Sequence, residues 1–156
     1  MKNSNKKGFT LVELVVVIAI IGVLAAILVP SMMGYVKKSR LKTANGNAKT
    51  AYNAVAEYLA DQETEGLLQD TTETTEDKAK ASAEAELSTN GKGSGEVFVK
   101  FADDFRTADN PEFGCQWHRA SGDEVVGQYP NPAQKVAEAP EWEDTASMFT
   151  KTTTKA

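Results

Sequence analysis

The feature that most limits what this chain can fold into lies near its start. From Phe9 to Val36, 22 of 28 residues are hydrophobic, and Leu14 to Val29 is an unbroken run of 16 non-polar residues. As a helix, Phe9–Val29 would measure about 31 Å, matching a bilayer hydrocarbon core of roughly 30 Å. The remainder of the chain is opposite in character. Of the 120 residues from Lys37 onward, 16 are Leu, Ile, Val or Phe, a share below the ~20% at which a charged chain begins to look disordered. A conventional soluble globule with one large core is excluded. The outer region must pack against something it does not itself supply.

Charge divides in the same way. Residues 1–50 carry eight Lys or Arg against Glu13 alone, for a net of +7, whereas residues 51–156 carry nine basic and 21 acidic residues, for a net of −12. An acidic surface repels phosphates, so direct nucleic-acid binding is not expected there. A single cysteine, Cys115, allows no internal disulfide. With one histidine, His118, the chain offers no nucleophile–base–orienter set and no glycine-rich phosphate loop. Neither an enzyme nor a cofactor is expected. Cys115 and His118 have C-x-x-H spacing, but two ligands without a second pair do not make a zinc site.

The apolar run is slightly long for a signal peptide, and Pro30-Ser31-Met32 is a poor small-residue cleavage site. A plain anchor explains the length but not Glu13. A carboxylate in a spanning helix costs up to about 2.5–3.5 kcal/mol and calls for a partner. Cleavage between Gly8 and Phe9 would supply one. The new α-amino group would lie four residues from Glu13, about one helical turn. Such a pair, within a chain or between chains, sets the register of assembling helices. Flanking charge, with Lys6 and Lys7 before the run and Lys37, Lys38, Arg40 and Lys42 after it, would by itself place the C-terminal part in the cytoplasm.

The series Lys7-Gly8-Phe9-Thr10-Leu11-Val12-Glu13, the apolar run and Pro30 resemble, over roughly residues 6–45, the type IV pilin and pseudopilin family. The resemblance implies that a prepilin peptidase cleaves after Gly8 and N-methylates Phe9, and that Glu13 meets the amino terminus of Phe9 on an adjacent subunit. It implies storage in membrane lipid with the outer domain outside the cytoplasm, contrary to the charge count, and then a cell-surface filament. The implied partners are identical or related pilin subunits and the pilus assembly machinery, namely a platform protein and, indirectly, an assembly ATPase. The expected role is that of a major pilin-like structural subunit. The alternatives are a pseudopilin of a type II secretion or competence (DNA-uptake) system, and a pilin-borne adhesin stacking polysaccharide on Trp117, Tyr129 and Trp142.

The expected fold is α+β: a long N-terminal helix kinked at Pro30, with a small antiparallel sheet packed on its C-terminal half, the ladle-like pilin fold. Pro30 removes a helical N–H and predicts a kink or local unwinding near Ala26. Gly22 weakens the same stretch and forms a small-xxx-small pair with Ala26. The resemblance assigns Gly22 and Pro30, with Glu13, to assembly. Beyond the proline, Leu41, Ala44, Ala48, Ala51, Tyr52, Val55 and Leu59 recur at spacings of three and four, the apolar stripe of an amphipathic helix. The opposite face carries Lys42, Asn45, Lys49, Asn53 and Glu57. These patterns divide the chain into a leader (1–8), a membrane and filament-core helix (9–36), its amphipathic continuation (37–61, with Gly66 just past its end) and an outer α/β domain (62–156).

Within the outer domain, residues 71–76 read as loop, 76–87 as a marginal helix and 88–95 as a flexible loop. Alternation predicts strands at 96–101, 112–119 and 124–129, with a hairpin turn at 120–123. Residues 130–156 are expected to be loop and frayed tail. Asp103, Asp104 and Asp109 are the weak calcium candidates, lacking the spacing of a calcium loop.

Overall fold

The computed structural model describes residues 8–66, 73–89, 95–102 and 113–149. The chain divides into two compact units, 1–36 and 37–156. The order of elements is α1 (Leu11–Thr64), α2 (Glu73–Thr89), β1 (Glu96–Phe101), β2 (Phe113–His118), β3 (Gly127–Tyr129), a short 3-10 turn (Val136–Glu138) and α3 (Thr145–Phe149).

In the first unit α1 has no covering layer. Nineteen large apolar side chains between Phe9 and Val36 are 45–78% exposed. The helix runs continuously through Gly22 and Pro30, so the proline is accommodated without the unwinding expected near Ala26. Just beyond it, the Ser31 hydroxyl donates to the Leu28 carbonyl at 2.8 Å. A Cβ at Gly22 would meet nothing within 4 Å. The absence of a side chain there serves no packing inside this subunit.

In the second unit the predicted stripe is the core. Leu41, Ala44, Ala48, Ala51, Val55 and Leu59 are buried on α1, joined by Asn47 and Ala54. The helix continues three residues past Asp61, and Gly66 closes its end with φ +69° while donating to the Glu63 carbonyl at 3.1 Å. Positive φ is the backbone state for which glycine is suited at a helix end.

The sheet has the order β1-β2-β3 and is antiparallel throughout. Val99 pairs with Cys115 and Phe101 with Phe113, while Cys115 pairs with Tyr129 and Trp117 with Gly127. Alternation puts these residues on one face, and that face meets α1. Tyr52 stacks on Phe113 at 4.1 Å and lies edge-on to Tyr129 at 4.9 Å. Gly127 approaches so closely that a Cβ there would overlap the backbone of Ala44. Asn45, expected on the solvent face, instead joins the layers. Its Oδ1 accepts the Gln128 N–H at 3.1 Å and its Nδ2 donates to the Ala133 carbonyl at 2.9 Å.

Helix α2 begins earlier than expected, taking residues 73–76 out of the predicted loop and extending to Thr89. Ala79, Ala83 and Leu87 are buried on it. Glu76 explains the early start: its carboxylate accepts the Phe101 N–H at 3.1 Å and pairs with Lys100 at 3.1 Å, capping the edge strand β1. The third strand is shorter than expected. Val125 and Val126 are buried before pairing starts at Gly127, and the 120–123 turn, closed by Asp123 N–H to the Ala120 carbonyl, sits within a longer connection.

The largest departure concerns residues 130–149, expected to be loop and tail. They cover the second face of the sheet. Gln116 bonds to the Gln128 side chain at 3.1 Å and to the Glu141 carbonyl at 3.1 Å, and accepts the Glu143 N–H at 2.8 Å. Met148 of α3 is fully buried against Gly114. His118 stacks on Trp142 at 3.7 Å and contacts Glu96 at 2.7 Å. Consequently every residue of β2 is buried. The expected loop at 88–95 and tail at 150–156 lie largely outside the described residues.

Candidate functional site

The candidate site is the start of α1. Phe9 is 78% exposed. Thr10 is the residue before the helix and Glu13 the third residue within it. The Glu13 Oε2 accepts both the Thr10 N–H at 2.9 Å and the Thr10 hydroxyl at 2.6 Å, while the Thr10 Oγ1 accepts the Glu13 N–H at 3.3 Å. This is a capping box, in which threonine and glutamate satisfy each other's otherwise unpaired backbone donors. A carboxylate in the first turn also sits favourably at the positive end of the helix dipole. Oε1 of Glu13 has no partner among the described residues.

Glu13 is therefore held by its own helix start, with one oxygen available among the described residues. The Thr-x-x-Glu spacing was visible in the sequence as a capping signature. Attention to the charge of Glu13 alone misses it. Gly8 and Phe9 are placed at the chain's approach to the helix, and residues 1–7 lie outside the described residues. Gly22 and Pro30 face no other part of the first unit.

The other candidates separate. Cys115 and His118 lie on opposite faces of the sheet, because positions three apart in a strand alternate, and they cannot share a metal. Burial pushes the Cys115 thiol well above its ordinary range. Among the described residues no group of three His, Cys, Asp or Glu could hold a metal ion. Asp103, Asp104 and Asp109 lie outside the described residues. Nor do Trp117, Tyr129 and Trp142 form one stacking platform. Trp117 is buried and Tyr129 packs on Tyr52, both on the α1 side of the sheet, while Trp142 stacks on His118 on the other side.

Residues 3–29 match the family pattern described as the prokaryotic N-terminal methylation motif. The relatives found with it are fimbrial proteins and type IV major pilins, to which part of the chain is similar. It is 49% identical over 62 residues to the fimbrial protein EcpC of Eikenella corrodens, covering 40% of each chain. Against the type IV major alpha-pilin of Moraxella bovis it is 38% identical over 79 residues, 51% of this chain and 50% of that one. Against the type IV major pilin protein PilA of Myxococcus xanthus it is 38% identical over 61 residues, 39% of this chain and 28% of that one. The chain thus spans between about a quarter and a half of the length of these pilins. No solved structure matches it.

Proposed function

We propose that this chain is a major pilin-like structural subunit of a type IV pilus or a related filament, and not an enzyme. A prepilin peptidase cuts between Gly8 and Phe9 and methylates the new amine. The membrane stores the processed chain as a single-pass protein with its outer domain outside the cytoplasm. The assembly machinery then draws subunits into a fibre cored by bundled α1 helices.

One observation carries the reading: a helix with nineteen uncovered apolar side chains opens on a carboxylate held in a capping box. In water that surface is untenable, since each buried Leu, Ile or Val is worth about 1.5–3 kcal/mol. In lipid it is stable, but lipid tails are as apolar as leucine, so the hydrophobic effect does not bring such helices together. Selectivity must then come from packing and from the polar element. Glu13 is the only charged residue between Phe9 and Val36.

Glu13→Ala tests this in a pilus-assembling host. The variant should stay in the membrane fraction at normal abundance, and the sheared filament fraction should fall at least tenfold. Filaments at the normal yield would refute the assembly role. Replacing Gly8 should leave uncut precursor in the membrane.

A further inference from the structure

From Lys37 to Glu65, along α1 and one residue past its end, charge is sorted by sign. Residues 37–50 carry five bases and no acid, residues 51–56 carry no charge, and residues 57–65 carry four acids and no base. Lys38, Arg40 and Lys42 at one end are exposed, as are Glu57, Asp61, Glu63 and Glu65 at the other. We propose that the exposed face of this stretch docks a second copy of this chain. The copy runs parallel and is displaced along the helix axis, so that the basic block of one chain lies beside the acidic block of the next.

Within a single chain this pattern is unfavourable. Lys38 and Lys42 are like charges four residues apart, as are Glu57 and Asp61, and such pairs repel on a helix surface. Asp61 and Glu63 stand in the last turn of α1, which holds no base, at the negative end of the helix dipole where acids are disfavoured. Helix α2 has the ordinary arrangement, with Lys80 four residues before its partner Glu84. In the basic block Lys37 pairs with Glu124 at 3.6 Å and Lys49 lies over the Tyr129 ring. The seven exposed charges named above have no ion-pair partner among the described residues. A pattern that costs the lone helix stability becomes favourable once opposite blocks of two chains meet.

Complementarity names the occupant, because one helix carries both halves of it. Parallel copies in register would set base against base and acid against acid. A shift equal to the step from Arg40 to Asp61, 21 residues or about 32 Å of helix, sets opposite signs together. Exposed ion pairs add little affinity each. Such blocks act through the repulsion they impose on wrong registers, which fixes how far neighbours slide past one another. The parallel direction rests on the proposed filament, whose head-to-tail subunits all point the same way. An antiparallel pair would satisfy the charges equally, and the experiment separates the two.

Ser39 and Ala60 are exposed, uncharged and 21 residues apart, one in each block. Filaments of the full chain carrying Ser39→Cys and Ala60→Cys, sheared from a pilus-assembling host and treated with a short bis-maleimide, should give a ladder of dimers, trimers and larger species. Each single variant, and the wild type with its buried Cys115, should cross-link at least tenfold less. Products that stop at the dimer reveal an antiparallel pair, and dimers from a single variant reveal copies in register; either result overturns the proposal, as does a lack of cross-links. Lys38→Glu with Lys42→Glu should cut the sheared filament fraction at least tenfold, and adding Glu57→Lys and Asp61→Lys to that chain should restore it to within threefold. An undiminished fraction, or no restoration, also overturns it. A wild-type chain that forms no filament defeats the proposed function and this docking face together, whereas filaments without the ladder defeat the docking face alone.

Discussion

Replacing Gln116 with alanine should release the C-terminal segment from the sheet. Gln116 is fully buried in the middle of β2. It makes three bonds of 3.1 Å or less, to Gln128, the Glu141 carbonyl and the Glu143 N–H; a fourth contact, to the Asp144 carbonyl at 3.5 Å, is too long to count for much. At about 1 kcal/mol net each, the three bonds sum to about 3 kcal/mol. The lost side-chain volume adds to this, because a buried site relaxes only in part. Against a domain stability of about 5–15 kcal/mol this is a large fraction. Because the bonds tie residues 141–144 to the sheet, the loss should be local before it is global. Amide exchange in α3 should accelerate more than a hundredfold while that in α1 between Leu41 and Leu59 changes little, and limited proteolysis should cut first near residues 139–144. A urea midpoint corresponding to less than about 1 kcal/mol of destabilisation, with α3 exchange unchanged, would refute the view that this glutamine fastens the segment. Gln134→Ala, on an exposed side chain, is the control and should be silent.

The same geometry fixes three further outcomes. Gly127→Ala should lower the thermal midpoint sharply, by the equivalent of about 3 kcal/mol or more, since its Cβ would strike the backbone of Ala44; an unchanged midpoint would show that β3 and α1 can part freely. The buried Cys115 thiol, with its ionisation pushed up by desolvation, favours the folded state until the unfolded chain's thiol ionises, near pH 8.5. Above that pH the wild type should lose up to ~1.4 kcal/mol per pH unit relative to Cys115→Val, and the thiol should resist aromatic disulfide reagents until the chain unfolds. Thr10→Ala should cost the start of α1 about 1 kcal/mol and Thr10→Ser almost nothing, read as amide exchange at residues 11–14 in micelles; equal exchange in both variants would deny the capping box its role.

Much of this fold was legible because it is written in periodicity. The stripe from Leu41 to Leu59 has helical spacing and is buried, and β1 occupies the six residues whose alternation marks it. What could not be read depends on a partner far along the chain. Gly114, Gln116 and His118 alternate with Phe113, Cys115 and Trp117 and so look like a solvated face. They are buried because residues 139–149, poor in regular pattern and carrying Glu141, Glu143 and Asp144, return across them. A glutamine reads as surface until backbone carbonyls from an irregular segment satisfy it. Residues 73–76 likewise look like loop by composition, and Glu76 is drawn into helix by a strand edge 25 residues later. At the N-terminus the reverse held. Thr10 and Glu13 are three residues apart, so their box was readable locally.

The two oxygens of Glu13 have a consequence for the kind of object such chains can build. One oxygen is consumed by the chain's own Thr10, and the other is free among the described residues. Cleavage at Gly8 would create one amine per chain. Each unit would then present a single acceptor and a single donor of different kinds, and two chains facing each other across a two-fold axis would have to close both contacts at once. If each contact is instead made with a different neighbour, the chains join head to tail, and where the rotation does not close they generate a helix without end. One free oxygen per carboxylate would then limit each chain to one neighbour on that side, so that the fibre extends without branching at this contact.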